Sequence, residues 1–507
     1  MIDQPARARK RGASAVGGCS VRDRHTGAVS SGHDGSARRP RLDDAQVHAL
    51  VDDLAALLGA DRVLTGRDDR LQHGTDESFH DPAPPDVVVA PRDTGEAVAI
   101  VGVCRRHGAP IVPFGAGTSL EGHVGALAGG VCVDMREMNR VLRLSVDDLD
   151  VTVQAGVTRR QLEARLLPEG VFFPVDPGSD ATIGGMVSTG ASGTMTVRYG
   201  AMRENVLSLL VVTPDGELVQ TRSRARKSSA GYDLTRLLIG AEGTLGLVCE
   251  ATLRLRPTPE AMSAAVAPFP TLRDAVQCVI AVMANAIPVA RIELADERQM
   301  EAFNAYAGLD RAVAPTLFLE FHGDPAEVAA QAEEVRAIAA EHGAAEVLVA
   351  AGEGERRALW RARHSAYDAA RSLRPGCRVM TTDACVPVSE LVDCILETRI
   401  DLQRSGLDGP IVGHVGDGNF HVTLLLDPGS PDELERAMGF HDRLVRRAIA
   451  AGGTCTGEHG VGYGKARYLE LEHGAAAVRM MRAIKHALDP DDLFNPGKIA
   501  DAAVLTG

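Results

Sequence analysis

Behind the polar pair Asp43–Asp44, apolar residues recur at Val47, Leu50, Val51, Leu54, Leu57 and Leu58, the spacing of an amphipathic helix that buries one stripe. The next apolar run, Asp86-Val87-Val88-Val89-Ala90, is short and closed by Pro91, which predicts a strand. Asp93 or Thr94 then caps a helix over 96–107 and Gly108 stops it. Ile111-Val112-Pro113-Phe114 reads as a second strand and completes a β-α-β unit. Further strands are predicted over 131–135, 151–157, 207–213 and 217–221, the last two joined at Pro214-Asp215-Gly216, with a helix over 158–167.

Arg256-Pro257-Thr258-Pro259 breaks a strand over 248–255, and composition then shifts towards alanine, so a domain boundary is expected there. Beyond it, helical patterns over 325–342 and 389–403 alternate with strand patterns over 316–321 and 409–414. Both halves read as α+β, without internal repeats, and 507 residues fit two domains.

Composition narrows the function classes. With 45% hydrophobic and 24% charged residues the chain is ordinary for a globular protein, and no apolar run approaches the ~18 to 20 residues of a bilayer span. No transmembrane segment is expected. A net charge of -14 repels a phosphate backbone, so nucleic acid is not an expected partner and small molecules are. Nine cysteines form no Cys-x-x-Cys pair, and several sit in apolar stretches such as Val131-Cys132-Val133, which predicts buried free thiols and a reducing compartment. Residues 1–41 are rich in Arg, Ser and Gly and read as a disordered N-terminal extension. They lack the apolar core of a secretory signal, and Asp3, Asp23 and Asp34 argue against a mitochondrial presequence. The expected location is cytoplasmic, compatible with peripheral membrane contact. A homodimer is compatible with the sequence, which carries no signal for oligomeric state.

Three glycine-rich segments point to a ligand. Pro113-Phe114-Gly115-Ala116-Gly117-Thr118-Ser119 follows a strand and can aim backbone N–H groups at phosphate oxygens. It completes neither the Rossmann nor the Walker pattern, and alone it reads equally well as a tight turn. The stretch from Asp176 to Gly193 carries little bulk, which is expensive to order unless something occupies the space. Gly240-Ala241-Glu242-Gly243-Thr244-Leu245-Gly246 can close over the same ligand.

The sharpest chemical pattern is Gly413-His414-Val415-Gly416-Asp417-Gly418-Asn419-Phe420-His421, followed later by Gly457-Glu458-His459-Gly460. In a straight strand His414 and His421 point to opposite faces, so they converge only if Gly416-Asp417-Gly418 reverses or bulges the chain. Two imidazoles and one carboxylate with an open position form a recurrent catalytic metal shell, suited to zinc and tolerable for manganese or iron. A single histidine beside a glycine turn is more often a hydrogen-bonded structural residue.

Segments 86–135, 176–206 and 240–256 resemble the FAD-binding domain of the vanillyl-alcohol-oxidase (PCMH) type. From about residue 45 to its end the chain resembles the D-lactate dehydrogenase (cytochrome) family and its relatives acting on D-2-hydroxyglutarate and glycolate. The resemblance implies an α+β fold with a two-subdomain FAD-binding domain over 42–259, its PCMH-type core spanning about 80–259. A cap (substrate) domain over 260–470 carries the metal site, and a segment over 471–507 returns to the FAD domain. It implies that Pro113, Gly115, Ala116, Gly117, Thr118 and Ser119 hold the pyrophosphate. Pro177, Gly178, Thr182, Gly184, Gly185 and Ser188 line the flavin, and Glu242, Gly243, Val248 and Asn495 complete the cofactor site. Covalent members of the wider group carry a flavin-linking His where Thr118 stands, so non-covalent FAD is expected.

In the same way His414, His421 and Glu458 are implied as ligands of a divalent metal, zinc first and manganese or iron next, and His459 as the general base. Trp360-Arg361-Ala362-Arg363 matches the family's Trp-x-x-Arg segment and makes Arg363 the expected partner of a substrate carboxylate, with Asn419 adding a hydrogen bond. The D-2-hydroxyglutarate branch has Lys where this chain has Thr381, which favours a monocarboxylate such as D-lactate over D-2-hydroxyglutarate. The implied reaction is oxidation of a D-2-hydroxy acid, with a cytochrome, a quinone or an electron-transfer flavoprotein as acceptor. The alternatives are a glycolate or D-2-hydroxyglutarate dehydrogenase, a flavin-free metallohydrolase, a flavoprotein catalysing a non-redox addition, and an inactive scaffold.

Overall fold

The computed structural model describes residues 41–350 and 352–500, so the expected extension, apart from Arg41, lies outside the described residues. Helix α1 (Asp44–Leu58) opens with a capping box: Asp43 accepts the Gln46 N–H at 2.8 Å, and the Gln46 side chain accepts the Asp43 N–H at 2.9 Å. Leu50, Leu54 and Leu58 are buried and Leu57 is exposed, so the buried stripe is narrower than the sequence spacing.

Strand β1 (Val87–Val89) leads through helix α2 (Thr94–His107) to β2 (Ile111–Phe114). Asp93 caps α2 by accepting the Glu96 N–H, and Gly108 ends it in the left-handed conformation. The two strands do not pair with each other: both run parallel to β3 (Val131–Asp134), which lies between them. β1 and β3 are buried along their whole length, as unbroken apolar runs in a parallel sheet require.

A second, five-stranded sheet is antiparallel. β4 (Asp150–Gln154) and β5 (Val206–Val212) flank β6 (Leu247–Arg254), with Val141–Ser145 and Leu218–Gln220 outermost. The short helix Ile183–Thr189 packs on β6 through Ile183, Met186 and Val187, so the low-bulk segment is anchored at the helix and open on its other side.

The third sheet carries the rest of the chain. Its order is Leu348–Val349, β7 (Ala261–Pro268), β9 (Thr316–Gly323), β8 (Arg291–Ala295), β11 (Ile411–Gly413), β12 (Asn419–Leu426) and β10 (Arg378–Thr381), every neighbour antiparallel. Its apolar core is built against helices such as Leu272–Ala284 and Pro431–Ala450. Helix α3 (Glu353–His364) lies against the same sheet.

The C-terminal segment comes back to the first sheet. The Ile111 N–H donates to Leu493 O, and the Asn495 N–H donates to Ile111 O, both at 2.8 Å, so 493–495 run beside β2. Buried Lys485 donates to Thr244 O at 3.0 Å and Phe494 O at 2.8 Å, and Lys498 to Gly125 O at 2.6 Å. Among the described residues no helix is long and apolar enough to cross a membrane. Their cysteines are all free, and Cys104, Cys132, Cys249, Cys278, Cys394 and Cys455 are buried.

Candidate active site

A cavity of about 520 Å³ opens between the glycine-rich loops and the third sheet. Every residue named above for the cofactor lines it, from Pro113 through Ser119, Pro177 through Ser188, and Glu242, Gly243 and Val248 to Asn495. The first two segments touch. A Cβ on Gly115 would stand 2.3 Å from Thr182 Oγ1, so only glycine lets the loop pass there. The Thr182 hydroxyl is already engaged, accepting the Gly185 N–H at 3.3 Å as helix cap, and Ser188 Oγ donates to Gly184 O at 2.8 Å. Gly115, Gly117, Gly178, Gly184, Gly185 and Gly243 line the cavity without side chains, the cradle a flat ligand with a pyrophosphate needs. These residues fit FAD.

The opposite wall carries the ionisable groups. Strands β11 and β12 form a hairpin in which Val412 faces His421, and the chain reverses through a 3-10 turn at Val415–Asp417 and Gly418. Gly418 has φ +78, and a Cβ there would lie 2.0 Å from Val386 O. The reversal brings His414 and His421 to the same side, with ring centroids 5.7 Å apart. Their Nε2 atoms lie 3.3 and 3.1 Å from a single oxygen, Glu458 Oε1.

The other ring nitrogens are taken. His421 Nδ1 donates to Thr382 O at 3.1 Å and His414 Nδ1 to Glu293 Oε1 at 2.8 Å. A carbonyl can only accept, so the Nδ1 proton is fixed and Nε2 is the nitrogen left to face Glu458. Imidazoles fixed by a carbonyl and a carboxylate behind them are the usual support of a metal shell, and this donor set fits a divalent ion. Burial alone would push His414 down, but Glu293 and Glu458 raise it well above its ordinary value. Burial alone would raise Glu458, and His414 and His421 hold it well below.

His459 stacks on His421 at 4.8 Å between centroids, and its Nδ1 has no partner. Burial pushes the ring down to about 3; His421 and Lys465 add to this and Asp383 opposes it. The segment that carries it is pinned at three places. Asp383 Oδ2 accepts the N–H groups of Glu458 and His459 at 2.9 and 3.0 Å. Glu242 accepts those of Val461 and Gly462 at 2.6 and 2.8 Å. Glu121 Oε1 meets Lys465 Nζ at 3.0 Å. Glu242 thus lines the cavity while its carboxylate is spent on the turn above it.

Arg363, in the last turn of α3, lines the cavity; Nη2 donates to Glu293 Oε2, and Nε is buried without a partner. Asn419 is the exception among the expected residues. It does not line the cavity: its Nδ2 donates to Asp383 Oδ1 at 2.7 Å and Ala384 O at 2.9 Å. A Cβ on Gly457 would approach Nδ2 to 2.2 Å, so the 457 turn covers it, and Asn419 supports Asp383.

Sequence reasoning missed Asp383, Glu293 and Ser192, whose hydroxyl donates to Glu458 Oε2 at 2.6 Å. Glu293 had a signal: a charged residue in the strand Arg291-Ile292-Glu293-Leu294-Ala295, whose neighbours Ile292 and Leu294 both point into the core. Asp383 had none, and Ser192 lies in the low-bulk stretch that the sequence marks for a ligand.

Residues 85–222 match the FAD binding domain family, and 258–499 match the C-terminal domain of FAD linked oxidases. A probable mitochondrial D-lactate dehydrogenase of Danio rerio is 48% identical over 92% of this chain and 95% of its own length. A mitochondrial D-lactate dehydrogenase [cytochrome] of Arabidopsis thaliana is 45% identical over 89% and 80%. The structure of p-cresol methylhydroxylase with substrate bound superposes with a TM-score of 0.77 at 19% identity, covering 92% of this chain and 99% of that one, which shows the PCMH-type fold. On the glycine-lined cradle, the matched FAD domain and relatives of this identity and coverage, the chain belongs to the D-lactate dehydrogenase (cytochrome) family of FAD-dependent oxidoreductases.

Proposed function

We propose that the protein oxidises a short D-2-hydroxy monocarboxylate, D-lactate first among them, to the 2-oxo acid. The observation that carries this reading is the convergence of His414, His421, Glu458, His459 and Arg363 on the cavity that the glycine-rich loops line. Membership in an FAD-dependent family removes the flavin-free hydrolase from consideration.

Bound FAD supplies the two-electron acceptor for C2. A divalent metal, zinc first, held by His414, His421 and Glu458 would supply a Lewis acid that makes the 2-hydroxyl more acidic. Arg363 binds the carboxylate through the guanidinium edge that Glu293 leaves free, which fixes C2 relative to the cofactor. His459 is neutral near pH 7 and takes the hydroxyl proton as the C–H bond breaks. The metal ligands and His459 line one cavity, which is why they belong in one mechanism.

The cavity favours a monocarboxylate. Thr381 lines it as an uncharged hydroxyl and offers no cation to a second carboxylate. The word cytochrome in the name of the plant relative supports a cytochrome as acceptor over a quinone or an electron-transfer flavoprotein. Both relatives are named mitochondrial, which weighs against the cytoplasmic expectation. The location proposed is therefore at a respiratory membrane surface, tested by cell fractionation. The division into an FAD-binding part over 42–259, a cap over 260–470 and a returning segment over 471–507 is kept as part of this reading.

The test is an anaerobic absorbance titration of purified, metal-replete protein with D-lactate, L-lactate, glycolate and D-2-hydroxyglutarate. Bleaching of the flavin band by D-lactate alone is expected. Bleaching by another acid moves the substrate assignment, and a yellow protein that none of them bleaches overturns it. Full reduction in a His459→Ala variant removes His459 from its role.

A further inference from the structure

Glu293 is buried in β8 to 1% exposure, and each of its carboxylate oxygens has a different partner. Oε1 accepts from His414 Nδ1 at 2.8 Å, and Oε2 accepts from Arg363 Nη2. The topology makes this meeting unavoidable. β8 pairs with β11, Leu294 opposite Gly413, so His414 leaves the strand end beside Glu293, while α3 delivers Arg363 from its last turn. One carboxylate therefore touches the imidazole whose Nε2 faces Glu458 and the guanidinium whose buried Nε has no partner.

Resting on the functional reading above, we propose that Glu293 is a positioning residue that couples metal binding to recognition of the substrate carboxylate. It holds a proton of His414 on Nδ1, so that Nε2, facing Glu458, is the nitrogen at which a cation displaces a proton. It also turns Arg363 so that its guanidinium, which lines the cavity, meets the substrate. Neither effect needs Glu293 to touch substrate or metal.

The alternative is a buried ion pair that only staples α3 to the sheet, and glutamine separates the two. A carboxylate accepts at both ends, whereas an amide accepts at one and donates at the other. In Glu293→Gln, if the oxygen serves Arg363, the NH₂ group faces His414 Nδ1 and forces its proton to Nε2. If the oxygen serves His414, the NH₂ group opposes Arg363 Nη2. One carboxamide cannot satisfy both partners.

The experiment uses the full chain loaded with FAD. Zn²⁺ affinity is measured by competition with a chelator in the absence of substrate, and KM and kcat for D-lactate separately, with flavin content and melting temperature as controls. Glu293→Gln is expected to weaken Zn²⁺ binding about 10- to 100-fold, the usual effect of losing such a support, and to raise KM at least about tenfold, one decade in binding, with flavin content retained. Arg363→Ala, which removes no metal ligand, is expected to change Zn²⁺ affinity as well by releasing Glu293. Glu293→Gln that moves melting alone, or only one of the two affinities, overturns the inference. So does unchanged Zn²⁺ affinity in Arg363→Ala, which serves if Glu293→Gln fails to fold. A wild-type protein that takes up no Zn²⁺ and is not reduced by D-lactate overturns the functional reading instead and takes this inference with it.

Discussion

The backbone N–H of His459 donates to Asp383 Oδ2 over 3.0 Å, so the position of the proposed base is set by a carboxylate that never reaches the cavity. Asp383 is fully buried. Burial alone would raise its pKa, but His459, Lys465 and His421 hold it well below the usual carboxylate range. It also accepts Thr456 Oγ1 at 2.8 Å and Asn419 Nδ2 at 2.7 Å, and it serves as the hub under the 456–459 turn.

Asp383→Asn keeps the size and loses the charge. Oδ2 has three donors pointing at it and Oδ1 has the Asn419 amide, so in either orientation the NH₂ group of asparagine opposes a donor. The turn is expected to shift, and the rate of flavin reduction to fall about 100-fold, the usual result of a displacement near 1 Å, with FAD retained. Stopped-flow reduction by D-lactate measures it, and a wild-type rate would mean that Asp383 does not position His459.

Gly115→Ala is expected to weaken FAD binding at least about tenfold, since a methyl placed 2.3 Å from Thr182 Oγ1 moves either the phosphate-facing loop or the helix cap, itself worth about 1 kcal/mol. The double variant Gly115→Ala/Thr182→Ala removes the obstructing oxygen and should regain part of the loss. Fluorescence titration of the apoprotein with FAD reads both, and equal affinity in the single variant would remove this contact from the cradle.

Thr381→Lys places a cation at the cavity wall beside β12, where Thr381 Oγ1 is buried and unpartnered. The ratio of kcat/KM for D-2-hydroxyglutarate to that for D-lactate should rise about tenfold or more, the scale of one charge-assisted hydrogen bond at about 1.5 to 3 kcal/mol. An unchanged ratio would place the distal end of the substrate elsewhere.

His441 gives a pH-dependent stability. It is 5% exposed, packs edge-on against Tyr468 and has no partner at Nδ1; burial pushes it down to about 3, with Lys465 and Arg467 adding to the effect. The folded state keeps it neutral while the unfolded chain takes up a proton. Stability is therefore fully present above the ordinary value of 6.5 and is lost as pH falls from there towards about 3, by at most about 1.4 kcal/mol per pH unit. His441→Phe should move the acid midpoint of unfolding downwards. Coincident acid transitions in the two proteins would rule out His441 as a contributor.

Much of this site was legible because its chemistry is local. Each glycine-rich segment stands out by its own composition, and the condition for His414 and His421 to converge, a chain reversal at Gly416-Asp417-Gly418, follows from strand geometry and is met. Asn419 shares a strand face with His421, and the sequence could not tell that the Gly457 turn, nearly forty residues on, fills the space in front of it. Glu293 and Asp383 act through pairings between distant strands and loops, which no local spacing encodes. The fold class followed from period and punctuation. The β-α-β unit was right in its elements, and only the long-range pairing revealed β3 between its strands.

The three carboxylates that pin 458–465 come from loops far apart in the chain, Glu121 and Glu242 on the cofactor side and Asp383 on the third sheet. The segment that carries His459 is therefore fixed only after both halves have closed on each other. A chain in which only one half is folded lacks at least one of these anchors, so the placement of His459 reports on the closure of the whole molecule and on neither half alone.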